Sequence, residues 1–273
     1  MTAATLPPFV PQVGDDVRGT VVERLHAVEA ECDVRILFAV ESGSRAWGFP
    51  SPDSDYDVRF VYVHRLDWYL ALTPGRDVIE LPIRDDLDIG GWDLRKALTL
   101  LLKPNPVMLE WLSSPIRYFW NAEVGAELAD LAQKTAHASA CLRHYLHLGE
   151  GQWRRHVGDG TDVSYKKYFY VLRPALAIRW VRLNPDAAPP MNIQAMSHGL
   201  DLDAETVDAI ARLLALKRAA REMGVGPRMP GLDRLVQDEF AWARQASLPE
   251  GRRDLRAEAN GLFRRIVLQA DCG

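Results

Sequence analysis

Residues Gly43 to Val63 read GSRAWGFPSPDSDYDVRFVYV, and they follow a compact apolar run, Asp33 to Val40 (DVRILFAV). The apolar run has the length and composition of a buried strand, and it ends at Glu41-Ser42-Gly43-Ser44. Residues 46–55 hold two prolines, two serines and a glycine, which predicts a loop. Asp55-Tyr56-Asp57 then opens a second β-rich run, Val58 to His64. Alternate residues of a strand project from one face, so Asp55 and Asp57 can close on a single divalent ion. Magnesium takes oxygen ligands and commonly shares its site with substrate phosphates. A small turn beside that ion offers backbone N–H groups and a hydroxyl to a phosphate. The layout predicts a site for nucleotidyl transfer.

The chemistry assigns each residue a role. Asp55 and Asp57 are the candidate metal ligands for Mg2+ or Mn2+. Gly43 has no side chain, so the backbone can approach a triphosphate closely. Ser44 would donate its hydroxyl and N–H to the β- or γ-phosphate, and Arg45, turned inward, would add a charge-assisted contact. A third carboxylate must come from a neighbouring strand. Asp88, in DDLDIGGW, is the candidate third catalytic carboxylate and metal ligand, with Asp86 as its substitute on the same face. Close to an attacking hydroxyl it would serve as general base.

The rest of the chain frames this motif. With 273 residues there is interior enough for one large domain or two modest ones. A net charge of −4 means that a nucleic-acid partner must be argued from a local basic patch. Three scattered cysteines, Cys32, Cys141 and Cys272, do not suggest a disulfide framework and fit a reducing cytoplasm. The N-terminus has no basic region ahead of an apolar stretch, and no run is long enough to span a membrane. A cytoplasmic protein with no membrane partner is expected.

The predicted organisation is an extended arm over 1–14, an α/β domain over 15–118 and a helical C-terminal domain over 119–273. Helical spacing runs from Asp15 to about Ala30; short strands are expected at Asp77–Ile83 and Asp86–Gly90, and a helix from Trp92 to Lys103. Asn105-Pro106 suits a cap followed by proline in the first turn of a short helix. Further helices are placed near 121–134, 135–149, 163–183, 203–223, 230–246 and 249–268.

The run GSRAWGFPSPDSDYDVRFVYV resembles the polymerase-beta-type nucleotidyltransferases, whose hallmark is G-S, a short loop, D-x-D and a later third carboxylate. With WDLRKALTLLLKPNPVMLEWLSSP and SYKKYFYVLRPALAIRW, the chain is similar to the nucleotidyltransferases associated with RNA ligase and RNA repair loci. The resemblance covers roughly 33–183. It implies an α+β catalytic domain with a small, mixed, mainly antiparallel sheet and flanking helices, followed by a helical part. It implies metal-dependent transfer of a nucleoside monophosphate from a nucleoside triphosphate such as ATP, with an RNA end (tRNA or broken RNA) as acceptor. A protein or small-molecule acceptor, or a nucleotide-binding sensor without catalysis, are the alternatives.

Other clusters of residues admit both a functional and a plainer role. On a helix, Lys166, Tyr170 and Arg173 share one face with Lys167 beside it, which suits a triphosphate and a stacked base. The plainer role is an amphipathic helix with its aromatics in the core. Pro174 would kink that helix. Arg154 and Arg155, between Trp153 and His156 in a Gly-rich stretch, read as a solvated charge cluster or a phosphate-contacting loop. His137, Cys141, His144 and His147 fall on one helical face, but collinear groups seldom make a tetrahedral zinc site. Lys96 reads as a helix-surface lysine. No P-loop, G-x-G-x-x-G, H-E-x-x-H or G-x-S-x-G motif is present.

Overall fold

The computed structural model describes residues 6–158, 160–219, 224–249 and 254–271; Cys272 lies outside them. The described residues form two compact units, each assembled from separated stretches of chain. Residues 11–46, 55–136 and 254–271 make a sheet unit, and residues 6–10, 47–54 and 137–249 a helical unit.

The sheet unit begins with α1 (Asp15–Cys32), β1 (Val34–Glu41) and the single turn α2 (Gly43–Ala46). It resumes with β2 (Tyr56–His64), α3 (Leu66–Leu70), β3 (Val78–Glu80), β4 (Leu87–Asp93), α4 (Leu94–Leu102), α5 (Pro106–Leu112), β5 (Arg117–Trp120) and α6 (Ala122–Gln133). Five strands lie in the order β3-β4-β2-β1-β5. Every neighbouring pair is antiparallel except β2 with β4, which is parallel. This is the mixed, mainly antiparallel α+β sheet expected. In β1, every residue but Arg35 is buried, as a strand covered on both faces requires. Helices α1 and α6 pack on β1, and α4 on β2 and β4. Capping sets the helix starts: the Asp93 carboxylate accepts from Arg95 N–H, Asn105 from Val107 N–H ahead of Pro106, and Asn121 from Val124 N–H. Trp92 belongs to β4 rather than to the helix predicted there, because it pairs with Val61 in the ladder.

The helical unit comprises α7 (Ala138–His156), β6 (Asp162–Ser164), α8 (Tyr165–Leu183), α9 (Ile193–His198), α10 (Ala204–Ala219), β7 (Val225–Pro227) and α11 (Pro230–Gln245). Helix α8 is its centre. Residues 168–178 include ten buried side chains, all but Tyr170, and α7, α9, α10 and α11 pack around it. The helix is continuous through Pro174, and α7 runs through Gly149 and Gly151 to His156. The Gly-rich stretch that reads as a loop around Arg154 and Arg155 is therefore mostly the last turns of a helix. Strands β6 and β7 pair as a small antiparallel ladder.

The expected cut at 118/119 falls inside β5, whose residues pair with β1. After α11 the chain returns to the sheet unit as α12 (Arg256–Asp271), which packs on α4 and β2. Lys134 of α6 and Glu258 of α12 form an ion pair at 2.6 Å. Residues 220–223 and 250–253, parts of the predicted helices 203–223 and 249–268, lie outside the described residues. Among the described residues no helix is long and apolar enough to cross a membrane.

Candidate active site

The parallel pairing of β2 with β4 places Asp57 directly opposite Asp88 in the register. Arg59, two residues along β2 and so on the same face as Asp57, reaches both carboxylates. Its guanidinium lies 2.7 Å from Asp88 Oδ2 and 3.4 Å from Asp57 Oδ1, and it also donates to the Asp88 carbonyl at 2.8 Å. Asp55 precedes the strand and is exposed, while Asp57 is half-buried. Burial pushes the Asp57 carboxyl above the usual range, Arg59 pulls it down, and the charges of Asp88 and Asp55 push it up again. These causes place three acidic groups and one arginine within electrostatic reach of each other.

The Gly43-Ser44 turn is built against this carboxylate. Gly43 has φ +59°, and a Cβ there would fall 1.8 Å from Asp57 Oδ2. Only a glycine admits both the left-handed backbone and the close approach. Ser42 N–H donates to the Asp57 carbonyl at 2.8 Å, tying the turn to β2. Ser44 is half-buried in the first turn of α2. Arg45 stacks over the Tyr56 ring at 3.7 Å and donates from Nε to the Asp55 carbonyl at 3.2 Å, and its charge is felt at Asp57 and Glu41.

Of the two candidates for a third carboxylate, Asp88 faces Asp57, whereas Asp86 is exposed in a turn with φ +59°. Asp86 contributes its backbone carbonyl, which accepts from Tyr56 N–H at 2.8 Å.

Glu41 is a contributor that sequence reading passed over. It is wholly buried, with Oε1 accepting the Asp57 N–H at 2.9 Å and Oε2 accepting the Tyr118 hydroxyl. Burial is the main cause that pushes its carboxyl up to about 7, against the pull of those hydrogen bonds. An acidic residue closing an otherwise apolar strand was the available signal. The side chain that fixes Asp57 from behind is therefore Glu41, with Ser114 Oγ donating to the Glu41 carbonyl at 2.7 Å.

The cation–tyrosine stripe belongs to the helical unit. Lys166 is exposed, Lys167 lies 5.1 Å over the half-buried Tyr170 ring, and Arg173 is buried. Arg173 donates from Nε and Nη2 to the Met191 carbonyl at 3.3 and 3.2 Å and lies 4.7 Å from the Trp47 ring centroid. The stripe thus descends from solvent at Lys166 into the core at Arg173. Segment 47–54 is part of the same unit: Phe49 stacks on Phe169 at 4.5 Å, and the carbonyls of Trp47 and Gly48 accept from Ile193 N–H and Gln194 Nε2.

Among the described residues, no three side chains of the His, Cys, Asp and Glu types are grouped as a metal cage. His137 and Cys141 are buried and His147 is exposed, so the four-residue zinc alternative gains nothing. Asp55, Asp57 and Asp88 likewise form no closed cage, because Arg59 bridges two of them and Asp55 lies ahead of the strand. The donor set nevertheless fits magnesium, which binds through one or two carboxylates completed by substrate phosphate oxygens. Asp57, pushed up first by burial and further by the charges of Asp88 and Asp55, would gain from a cation beside it.

Comparison with known proteins extends over most of the chain. The family model described as the RNA repair pathway DNA polymerase beta family matches residues 17–265. The chain is 40% identical over 252 residues to the "Uncharacterized protein YcgL" of Bacillus subtilis (strain 168), covering 90% of this chain and 95% of that one. A crystal structure of a nucleotidyltransferase-like protein from Exiguobacterium sibiricum 255-15 aligns over 92% of this chain and 89% of its own, at 15% identity. Its TM-score of 0.28 is too low to indicate a shared arrangement.

Proposed function

We propose, from the premise that this chain belongs to the RNA repair pathway DNA polymerase beta family, that it is a metal-dependent nucleotidyltransferase acting on RNA ends. The observation that carries this reading is the packing of the Gly43 backbone against Asp57, with Asp88 opposite in the register. A glycine turn packed against paired carboxylates suits attack at the α-phosphorus of a nucleotide.

In this reading an acceptor hydroxyl attacks the α-phosphorus of a nucleoside triphosphate. The new P–O bond forms as the bond to the β-phosphate oxygen breaks, and pyrophosphate leaves. Asp55 and Asp57 would hold Mg2+ or Mn2+, which supplies charge neutralisation for the phosphates when bound. Asp88 is the candidate to take the hydroxyl proton, and Arg59 orients it by their ion pair. Gly43 and Ser44 would present N–H groups and a hydroxyl to the triphosphate, and Arg45 a positive charge. Glu41 and Tyr118 support Asp57 from the interior. Lys166, Lys167 and Tyr170 are the candidates for nucleotide contacts from the helical unit, with Arg173 supporting from below.

The test is incubation with each labelled triphosphate, with magnesium or manganese, and with or without total RNA. Label is expected in RNA. Asp57→Asn should lower incorporation by more than roughly 10²-fold, the scale of losing one preorganised electrostatic group, with the melting temperature nearly unchanged. Full activity in that variant would remove the assignment. The net charge of −4 favours a second reading, in which the acceptor is a protein or small molecule. Label on protein alone in the same experiment would select it.

A further inference from the structure

Lys217, on α10, is 2% exposed, yet it is a cation. It follows Ile210, Leu213 and Leu214 by seven, four and three residues, so it occupies the buried stripe of its helix. Its ammonium donates to Ser51 Oγ at 3.2 Å. The Ser51 hydroxyl is itself 2.9 Å from Ser54 Oγ. An ammonium carries three N–H donors. Among the described residues, Ser51 Oγ is the one acceptor in hydrogen-bond range of Lys217, and no carboxylate forms an ion pair with it. Buried charges are ordinarily paired, because an unpaired one is costly.

A second ammonium deepens the imbalance. Burial is the first cause that pulls Lys217 down to about 8, and the charge of Lys166 is the second; exposed Asp53 only partly offsets them. Asp53 takes a hydrogen bond from Ser51 and feels the charge of both lysines. Lys166, Lys217, Ser51 and Asp53 are therefore one electrostatic cluster within the helical unit, open to solvent at Lys166 and Asp53.

We infer that Lys217, Ser51 and Lys166 form a receptor for a phosphate oxyanion, specifically the polyphosphate of a nucleotide. An anion seated there takes the unfilled N–H donors of Lys217 and neutralises two like charges at once. This assignment rests on the nucleotidyltransferase reading for the identity of the anion, but the site itself is built from the helical unit alone. In sequence, Ser51 stands four residues before Asp55, so one short segment carries both an anion contact and the first candidate metal ligand.

The experiment is calorimetry of inorganic tripolyphosphate, without divalent metal, on the full chain at pH 7. Lys217→Met is expected to weaken binding at least about tenfold, which corresponds to 1.4 kcal/mol. Ser51→Ala and Lys166→Gln should each weaken it severalfold, and they decide the matter if the methionine variant fails to fold. Lys103→Gln, at an exposed position of the sheet unit, should bind tripolyphosphate as the parent does. Unchanged affinity in folded Lys217→Met, or in both of the other two, would overturn the site. Binding confined to a 5′-phosphorylated oligoribonucleotide, with none to tripolyphosphate, would overturn the polyphosphate assignment. If no triphosphate is ever incorporated while tripolyphosphate binding still needs Lys217, the receptor stands and the proposed reaction falls.

Discussion

The sheet unit and the helical unit each bury an ionisable group, and they treat it in opposite ways. Glu41 has both carboxyl oxygens occupied, one by a backbone N–H and one by a tyrosine hydroxyl. Nearby, Arg59 spans Asp57 and Asp88, so part of the negative charge at that end of the sheet is met from within. Lys217 has one hydroxyl and a neighbouring lysine. A balanced region holds its shape alone, whereas an unbalanced one is stabilised by a partner of the missing sign. The difference separates parts that define geometry from parts that await an anion.

The comparison is tested most severely at Gly43. Gly43→Ala combines a positive φ with an overlap on Asp57 Oδ2, and should cost about 1–3 kcal/mol from backbone strain, plus displacement of Asp57. Urea unfolding would register the first effect and nucleotide incorporation the second. An unperturbed variant would mean that the turn does not set the carboxylate.

Glu41→Gln comes next. Folding raises the Glu41 pKa from 4.5 to about 7, so the folded chain holds a proton that the unfolded chain releases. The resulting stability is fully present below pH 4.5 and is lost as pH rises through about 7. At roughly 1.36 kcal/mol per unit of pKa, the window spans about 3 kcal/mol. Metal-free melting curves across pH 4.5–7 should show this slope in the parent and its absence in the glutamine variant. Equal slopes would show that Glu41 is not the group responsible.

The smallest expected effect is at Lys217. Its folded pKa, about 8, lies below the ordinary 10.5, so the unfolded chain binds the extra proton between those values. The parent therefore gains stability as pH rises from about 8 towards 10.5. Without phosphate, Lys217→Met should melt higher at pH 7 by about 2–4 °C, the response of a large domain to roughly 1 kcal/mol. That advantage should shrink above pH 8. A lower melting temperature at pH 7 would mean that the ammonium is already well compensated, and the contrast with Glu41 would dissolve.

Much of this arrangement was legible in the residues themselves. The apolar run 33–40, the proline-rich gap and the D-x-D opening a strand located β1, the turn and β2 closely, and Asn105-Pro106 marked α5. Asp88 was preferred over Asp86, and the register sets it opposite Asp57. Long-range pairing was not legible. The four residues of β5 carry too short a pattern to declare themselves a strand, and only their ladder with β1 places them. The return of α12 to the sheet unit has no local signature either, because an amphipathic helix does not name the surface it covers. Lys217 was missed because its charge suggests solvent, although its spacing from Leu213 and Leu214 put it on the apolar stripe.

The division of the chain at 46/47 and 54/55 has a practical outcome for anyone attaching a probe. Residues 71–74 are all exposed, and a fluorophore or an inserted epitope should be tolerated there. Segment 47–54 looks equally loop-like on paper. Its Phe49 is nonetheless an anchor in one folding unit, while the residues on either side are built into the other. Lengthening it would work against the packing of Phe49 on Phe169.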